Sequence, residues 1–256
     1  MSAGLRSVCS PVTRCKCCGG EAFAYGVVDF HKNCENRRHF SLGMSGVPIY
    51  YHRCVHCQFI FSTAFDEFTT EDFLRDVYND AYSVVDPDHH DVRPRKNAET
   101  VSRLFPGTRP GRLLDYGGGN GLLTSLLRQA GFPQVETYDP FVPEFSMRPE
   151  GQFDCIVSFE VLEHATNPAH LIADWSGLLQ DPGLIIFSTL LQPFDIDYQG
   201  LNWWYAGPRN GHVSLYSRPS LETLLHRWGL NFGSFDEGMH LAFRQVPDFA
   251  THLFDF

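Results

Sequence analysis

Apolar positions change their period along the chain. Up to residue 65 they come in short alternating runs, among them 49–53 and 59–62, which read as strands. Between 66 and 108 the spacing turns helical. Phe73, Leu74, Val77, Tyr78 and Tyr82 predict one helix over 70–82, stopped by Asp86-Pro87. A second helix is predicted over 96–104, and Pro106, Gly107, Pro110 and Gly111 mark a break. From 111 onward strand and helix alternate. Strands are predicted at 112–116, 135–138, 153–159 and 183–190, and helices at 122–129, 171–179 and 219–228, the last opened by a Ser217 cap. This alternation predicts an α/β fold, a parallel sheet with helices on both faces. The chain divides into three units, 1–65, 66–108 and 109–256, with no internal repeat.

With 256 residues, 43% hydrophobic and 20% charged, the composition is that of a globular protein with a substantial core. Aromatics reach 14%, with 22 Phe, which suits either a Phe-rich core or a ligand pocket walled by flat side chains. The formal net charge of -10 disfavours nucleic acid as a partner, the only basic clusters being Arg37-Arg38 and 93–96. No apolar run is long enough to cross a membrane, and residues 1–10 lack the apolar centre of a signal peptide. The expected location is cytoplasmic, where thiols stay reduced.

Seven of the eight cysteines lie in 1–65. Cys15-Lys16-Cys17-Cys18-Gly19 and Cys54-Val55-His56-Cys57 form two C-x-x-C units with 35 residues between them. Each such turn lets two sulfurs face one tetrahedral ion, and two turns close a Cys₄ structural zinc site. The expected Zn²⁺ ligands are Cys15, Cys18, Cys54 and Cys57, with Cys17, His52 and His56 as substitutes nearby. Cys9 and Cys34 have no assigned role, and Cys155 reads as a core residue on a strand.

The densest motif is Asp115-Tyr116-Gly117-Gly118-Gly119-Asn120-Gly121, a strand running through glycines into a helix. Glycine permits positive φ and lets a ligand approach bare backbone, and Asp115 ends its strand at the sheet's ligand-binding edge. The spacing is not the G-x-G-x-x-G of dinucleotide sites. Asp139 follows 24 residues later at the end of the next strand, placed to accept ribose hydroxyls. The segment 153–164 then runs through Phe159-Glu160-Val161-Leu162-Glu163-His164.

Taken together these residues resemble the class I S-adenosylmethionine (SAM)-dependent methyltransferases, whose first motif is Asp-x-Gly-x-Gly-x-Gly and whose fourth strand runs into a "vLEH" segment. With the cysteine pairs in front, 12–235 is similar to bacterial methyltransferases carrying an N-terminal zinc-binding domain, sugar C-methyltransferases among them. The resemblance implies a Rossmann-like domain preceded by a small zinc module. It implies SAM as cofactor, held by Asp115, Tyr116, Gly117, Gly118, Gly119, Gly121, Asp139, Pro140, Phe159 and Glu160. Two departures stand out. Fourteen residues between Asp139 and Asp154 leave the third strand and its helix shortened, so no adenine contact is assigned. Ser158-Phe159 also replaces the Asn-Pro-Pro-Tyr type of signature, which disfavours base amino groups as acceptors.

For an oxygen or carbon acceptor a proton must leave, and histidine suits that role. The candidates are His164, at the end of the fourth-strand motif, and His212, in a segment similar to the "EHVSxxS" of the sugar enzymes, with Gly211 where those carry Glu. Glu160 is the third candidate catalytic residue, with Glu163 read as structural and His240 carrying little context. Tyr78, Tyr82, Trp203, Trp204 and Tyr205 are candidates for an aromatic lid. The expected activity is methyl transfer to a carbon or oxygen of a small molecule (a sugar, nucleotide-sugar or natural product) by a monomer or homodimer. An RNA or protein methyltransferase gripping its partner with the zinc module is the alternative, as is a non-catalytic partner subunit.

Overall fold

The protein is represented by a computed structural model in which residues 10–254 are described; Cys9 lies outside the described residues. The first strands are β1 (Val12–Arg14), β2 (Glu21–Asp29), β3 (Pro48–Cys54) and β4 (Ile60–Ser62). Short helices follow, α1 (Thr70–Asp76) and α2 (Tyr82–Val85), then the longer α3 (Val92–Leu104). The remainder runs β5 (Arg112–Tyr116), α4 (Leu122–Gln129), β6 (Gln134–Tyr138), β7 (Phe153–Ser158), α5 (Pro168–Leu178), β8 (Leu179–Ser188), α6 (Ile196–Gln199), β9 (Ser214–Leu215), α7 (Arg218–His226), β10 (Asn231–Ser234) and β11 (Met239–Phe243).

Two sheets form. The larger has the order β10-β11-β8-β7-β5-β6. Its strands β8, β7, β5 and β6 are parallel, as the alternation predicts, while β11 and β10 add an antiparallel hairpin at one edge. β6 is the opposite edge. The shortened stretch after it holds only a 3₁₀ turn at Pro143–Phe145, so no third strand covers that side. One face of this sheet packs on α3 and α4 through Val101, Leu123 and Leu127, the other on α5 and α7 through Ile172, Trp175, Leu221 and Leu224. The expected α/β, Rossmann-like arrangement is therefore present.

The smaller sheet is antiparallel, β1-β2-β3-β4-β9. Its last strand comes from residues 214–215, far along the chain, and pairs Ile60 with Leu215 and Phe61 with Ser214. Phe59, Phe61 and the paired cysteines share one buried cluster with Leu114, Trp175 and Leu224. No helix among the described residues is long and apolar enough to cross a membrane.

The helix expected over 70–82 is broken. The buried guanidinium of Arg209 donates to the Val77 carbonyl at 2.7 Å, and the Ala81 N–H bonds the Asn79 side chain at 3.2 Å. A continuous helix needs those two backbone groups for each other. Two other helices start earlier than their apolar periodicity predicts. α5 opens on an Asn167 cap with Pro168 in the first position, and α3 tolerates Pro94 in its first turn.

Candidate active site

β5 and β6 end side by side at the carboxyl edge of the sheet, with Tyr116 in register with Tyr138. The glycine loop folds back onto β6, Gly117 N donating to the Tyr138 carbonyl at 2.7 Å. Asp139 holds the loop from the other side. Its two carboxylate oxygens accept from Gly119 N and Phe141 N, each at 2.9 Å. Asp115 is 3% exposed and accepts a weak hydrogen bond from the Thr124 hydroxyl, at 3.3 Å. Burial, with the Asp139 charge adding, lifts its carboxyl to about 7. Burial raises the Asp139 carboxyl as well.

Two glycines matter sterically. A Cβ at Gly118 would stand 2.5 Å from Asp115 Oδ2, so no side chain fits there. Gly119 adopts φ +54°, and a Cβ built on it meets nothing within 4 Å. Its bare backbone faces a cavity of about 1310 Å³. That volume exceeds a usual small-molecule pocket of roughly 300–1,000 Å³, and leaves room for a nucleoside cofactor and an acceptor together. Asp115, Tyr116, Gly117, Gly118, Gly119, Asp139, Pro140, Phe159 and Glu160 all border it. Gly121 does not. It shapes the turn into α4 at φ +72°, where a Cβ would meet the Phe145 ring at 2.9 Å.

Across the cavity, the helical segment supplies an aromatic wall. Tyr78 meets Phe141 edge-on at 5.0 Å and Tyr82 at 5.2 Å. Asp86 and Arg93, a bidentate pair with N–O distances of 2.8 and 2.9 Å, border the same space. Sequence reasoning used Asp86 only as a helix stop, and nothing local indicates its partner. Trp203, Trp204 and Tyr205 do not line the cavity, although they belong to the same hydrophobic cluster as Tyr78, Tyr82 and Phe141, and Arg37 stacks 3.9 Å over Trp204.

Four ionisable residues after β7 border the cavity, Glu160, His164, His170 and Asp174, and the last is paired with the Tyr116 hydroxyl and Arg148. Glu160 holds φ +57°, a conformation that costs a non-glycine residue about 1 kcal/mol or more. Ser188 fixes it on both sides. Its hydroxyl accepts from Glu160 N at 2.8 Å and donates to Glu160 Oε1 at 3.0 Å. Behind them lies Glu163, fully buried, with Oε1 accepting from the Tyr205 hydroxyl at 2.6 Å. Burial, with the Glu160 charge adding, pushes the Glu163 carboxyl well above the usual range. Burial draws the His164 imidazole down to about 4.

His212 is 5% exposed and does not line the cavity. It stands edge-to-face behind His164, with ring centroids 5.0 Å apart. Its Nδ1–H donates to the Tyr205 carbonyl at 2.9 Å, with Cys34 Sγ 3.5 Å from the same nitrogen. Cys34, unassigned in sequence, is thus a packing neighbour of His212. His240 is buried between Ser234 and the Thr189 carbonyl, away from the cavity.

The sequence matches the methyltransferase domain family over residues 89–233, more than half of the chain. The chain belongs to that family. Among curated relatives, the ubiquinone biosynthesis O-methyltransferase of Aromatoleum aromaticum is 26% identical over 106 residues, 32% of this chain and 45% of that protein. The enzyme of the same name from Bordetella avium is 26% identical over 124 residues, 40% and 51% of the two chains. The chain spans about half the length of the curated relatives it matches. Among solved structures, an O-methyltransferase family protein from Burkholderia thailandensis aligns with a TM-score of 0.53 at 15% identity, covering 71% of this chain and 64% of that one. Human N-acetylserotonin methyltransferase in complex with SAM also gives 0.53, at 16% identity, covering 70% and 60%. These likenesses show that the chain has the methyltransferase fold.

In front of the methyltransferase fold, the two C-x-x-C turns meet. The sulfurs of Cys15, Cys18, Cys54 and Cys57 all lie within 4.8 Å of one another. Cys15 and Cys57 are 3.5 Å apart, Cys18 and Cys54 3.4 Å. Four thiolates around zinc, at about 2.3 Å each, sit about 3.8 Å apart, so the group is close to ligating geometry. Gly20 N donates to Cys18 Sγ and His56 N to Cys54 Sγ, each at 3.4 Å, and Gly19 and Gln58, each directly after the second cysteine of its pair, both take positive φ. The four-sulfur group does not include Cys17, His52 or His56; Cys17 is buried in the core beside it. Cys155 is a buried strand residue, as its sequence position implies.

Proposed function

We propose that this protein transfers a methyl group from SAM to a hydroxyl oxygen of a small molecule. One observation carries the reading. A single cavity runs from the bare backbone at Gly119, between two acids, to a wall bearing Glu160, His164 and Tyr78. The name of the curated relatives, O-methyltransferase, supports oxygen over carbon as the receiving atom.

In this reading Asp115 pairs with the amino group of the cofactor, and Asp139 accepts from its ribose hydroxyls. The glycine loop lets the methionine part lie against main chain. When bound, SAM supplies a methyl on a cationic sulfur, so the chain's task is alignment and removal of one acceptor proton. Glu160 and His164 are the basic groups that face the acceptor, and either can take that proton. Buried His212 acts through His164 rather than on the acceptor. Phe141, Tyr78 and Tyr82 exclude water and flank a flat or ring-shaped molecule. Cys15, Cys18, Cys54 and Cys57 would hold a structural Zn²⁺ that staples the N-terminal turns. The three units of the sequence then serve as staple, cavity wall and transferase.

The test offers the full-length protein a panel of phenols and glycosides with SAM and measures S-adenosylhomocysteine formation. Turnover with a hydroxyl compound is expected. At least one of His164→Ala and Glu160→Gln should then lower kcat by about 10²-fold or more, the scale of a lost acid–base group, with SAM affinity within about threefold of wild type. Unchanged kcat in both variants, or turnover confined to RNA, contradicts the reading.

A further inference from the structure

We propose that Glu163, His164 and His212 bind a divalent transition-metal ion at the inner wall of the cavity, and that the acceptor hydroxyl is its remaining ligand. This rests on reading the cavity as the site of methyl transfer.

One ligand atom from each of these three residues lies within 4.8 Å of the other two. Two of the atoms there are stranded: Glu163 Oε2 and His164 Nδ1 are buried and have no hydrogen-bond partner. Buried polar groups are almost always satisfied, and orphaned ones mark a missing water or ion. A shared proton would serve one pair of acceptors. A cation serves all three donors at once.

The surroundings orient these side chains as a metal site requires. His212 spends its Nδ1–H on the Tyr205 carbonyl, which leaves Nε2 with a free lone pair. The hydroxyl of that same Tyr205 holds Glu163 Oε1, so one residue sets both ligands. Gly211 has a steric reason here. A Cβ on it would stand 2.9 Å from His164 Nδ1, crowding the nitrogen from the side. One carboxylate and two imidazoles suit a borderline divalent ion such as Zn²⁺, Fe²⁺ or Co²⁺, and three protein ligands leave a position open. His164 borders the cavity, so the open position is on the acceptor's side. A hydroxyl bound there is acidified by the ion's charge, and with His164 engaged as a ligand the proton goes to Glu160 on the same wall. This donor set shares no residue with the four-cysteine group.

The test is a Co²⁺ titration of the full-length protein already loaded with one equivalent of Zn²⁺, which the thiolates take. One further equivalent is expected, giving visible d–d absorption without a sulfur-to-cobalt charge-transfer band. Its affinity should fall at least about tenfold in Glu163→Gln and in His212→Ala. No second equivalent in the wild type, or cobalt absorption carrying only the sulfur band, overturns the proposal even if both variants fail to fold. SAM calorimetry on the same samples separates the two claims. SAM binding without a second cobalt leaves the cofactor site standing and removes the ion alone.

Discussion

At Asp115, burial and ligand binding pull in opposite directions. Folding lifts its carboxyl from near 3.8 to about 7, chiefly by removing water. Between those values the folded state keeps a proton that the unfolded state releases, so this residue makes folding less favourable as pH rises across that window. A cationic amino group prefers the ionised form. SAM affinity should therefore rise from pH 5 to pH 8 and level off above about 7. Asp115→Asn should flatten the profile and weaken binding at pH 8; calorimetry at several pH values reads both, and a flat wild-type profile contradicts the pairing. Asp115, Asp139 and the glycines are legible in sequence because strand, turn and acid sit within a few residues of each other. Glu163 is not. Its environment is set by Tyr205, 42 positions away, and by burial that no local pattern encodes.

Among the elements, α7 shows how a local signal acquires a long-range role. Ser217 caps it as the sequence predicts, its Oγ accepting from Ser220 N at 3.2 Å. The same hydroxyl donates to the Cys57 carbonyl at 2.7 Å, tying the helix to a cysteine turn. Ser217→Ala loses both bonds and should destabilise the protein by about 1–2 kcal/mol, or a few degrees in Tm, leaving SAM affinity unchanged. A Tm equal to wild type would mean that water replaces the cap. α4 matches its predicted span because Leu122–Gln129 is bounded by its own glycine and lies on a strongly apolar face. The broken helix at 77–81 escapes prediction because the residue that breaks it, Arg209, comes 132 positions later than Val77.

At the scale of the molecule, the three units of the sequence interleave. β9 completes the N-terminal sheet from within the C-terminal half, and one buried cluster spans the cysteine turns, Phe59 and Trp175. Composition separates the units but cannot reveal that they share a core, since pairing of Phe61 with Ser214 leaves no periodic trace. A shared core predicts one cooperative unfolding transition in scanning calorimetry, shifted as a whole to lower temperature by a zinc chelator. A separate, chelator-sensitive first transition would show instead an independently folding module. The central claim is that SAM lies against the main chain at Gly119, and a SAM titration of wild type beside Gly119→Val tests it most directly. One equivalent should bind the wild type, and at least about tenfold more weakly to the variant, whose side chain projects into the cavity. Equal affinity in the two proteins would place the cofactor elsewhere.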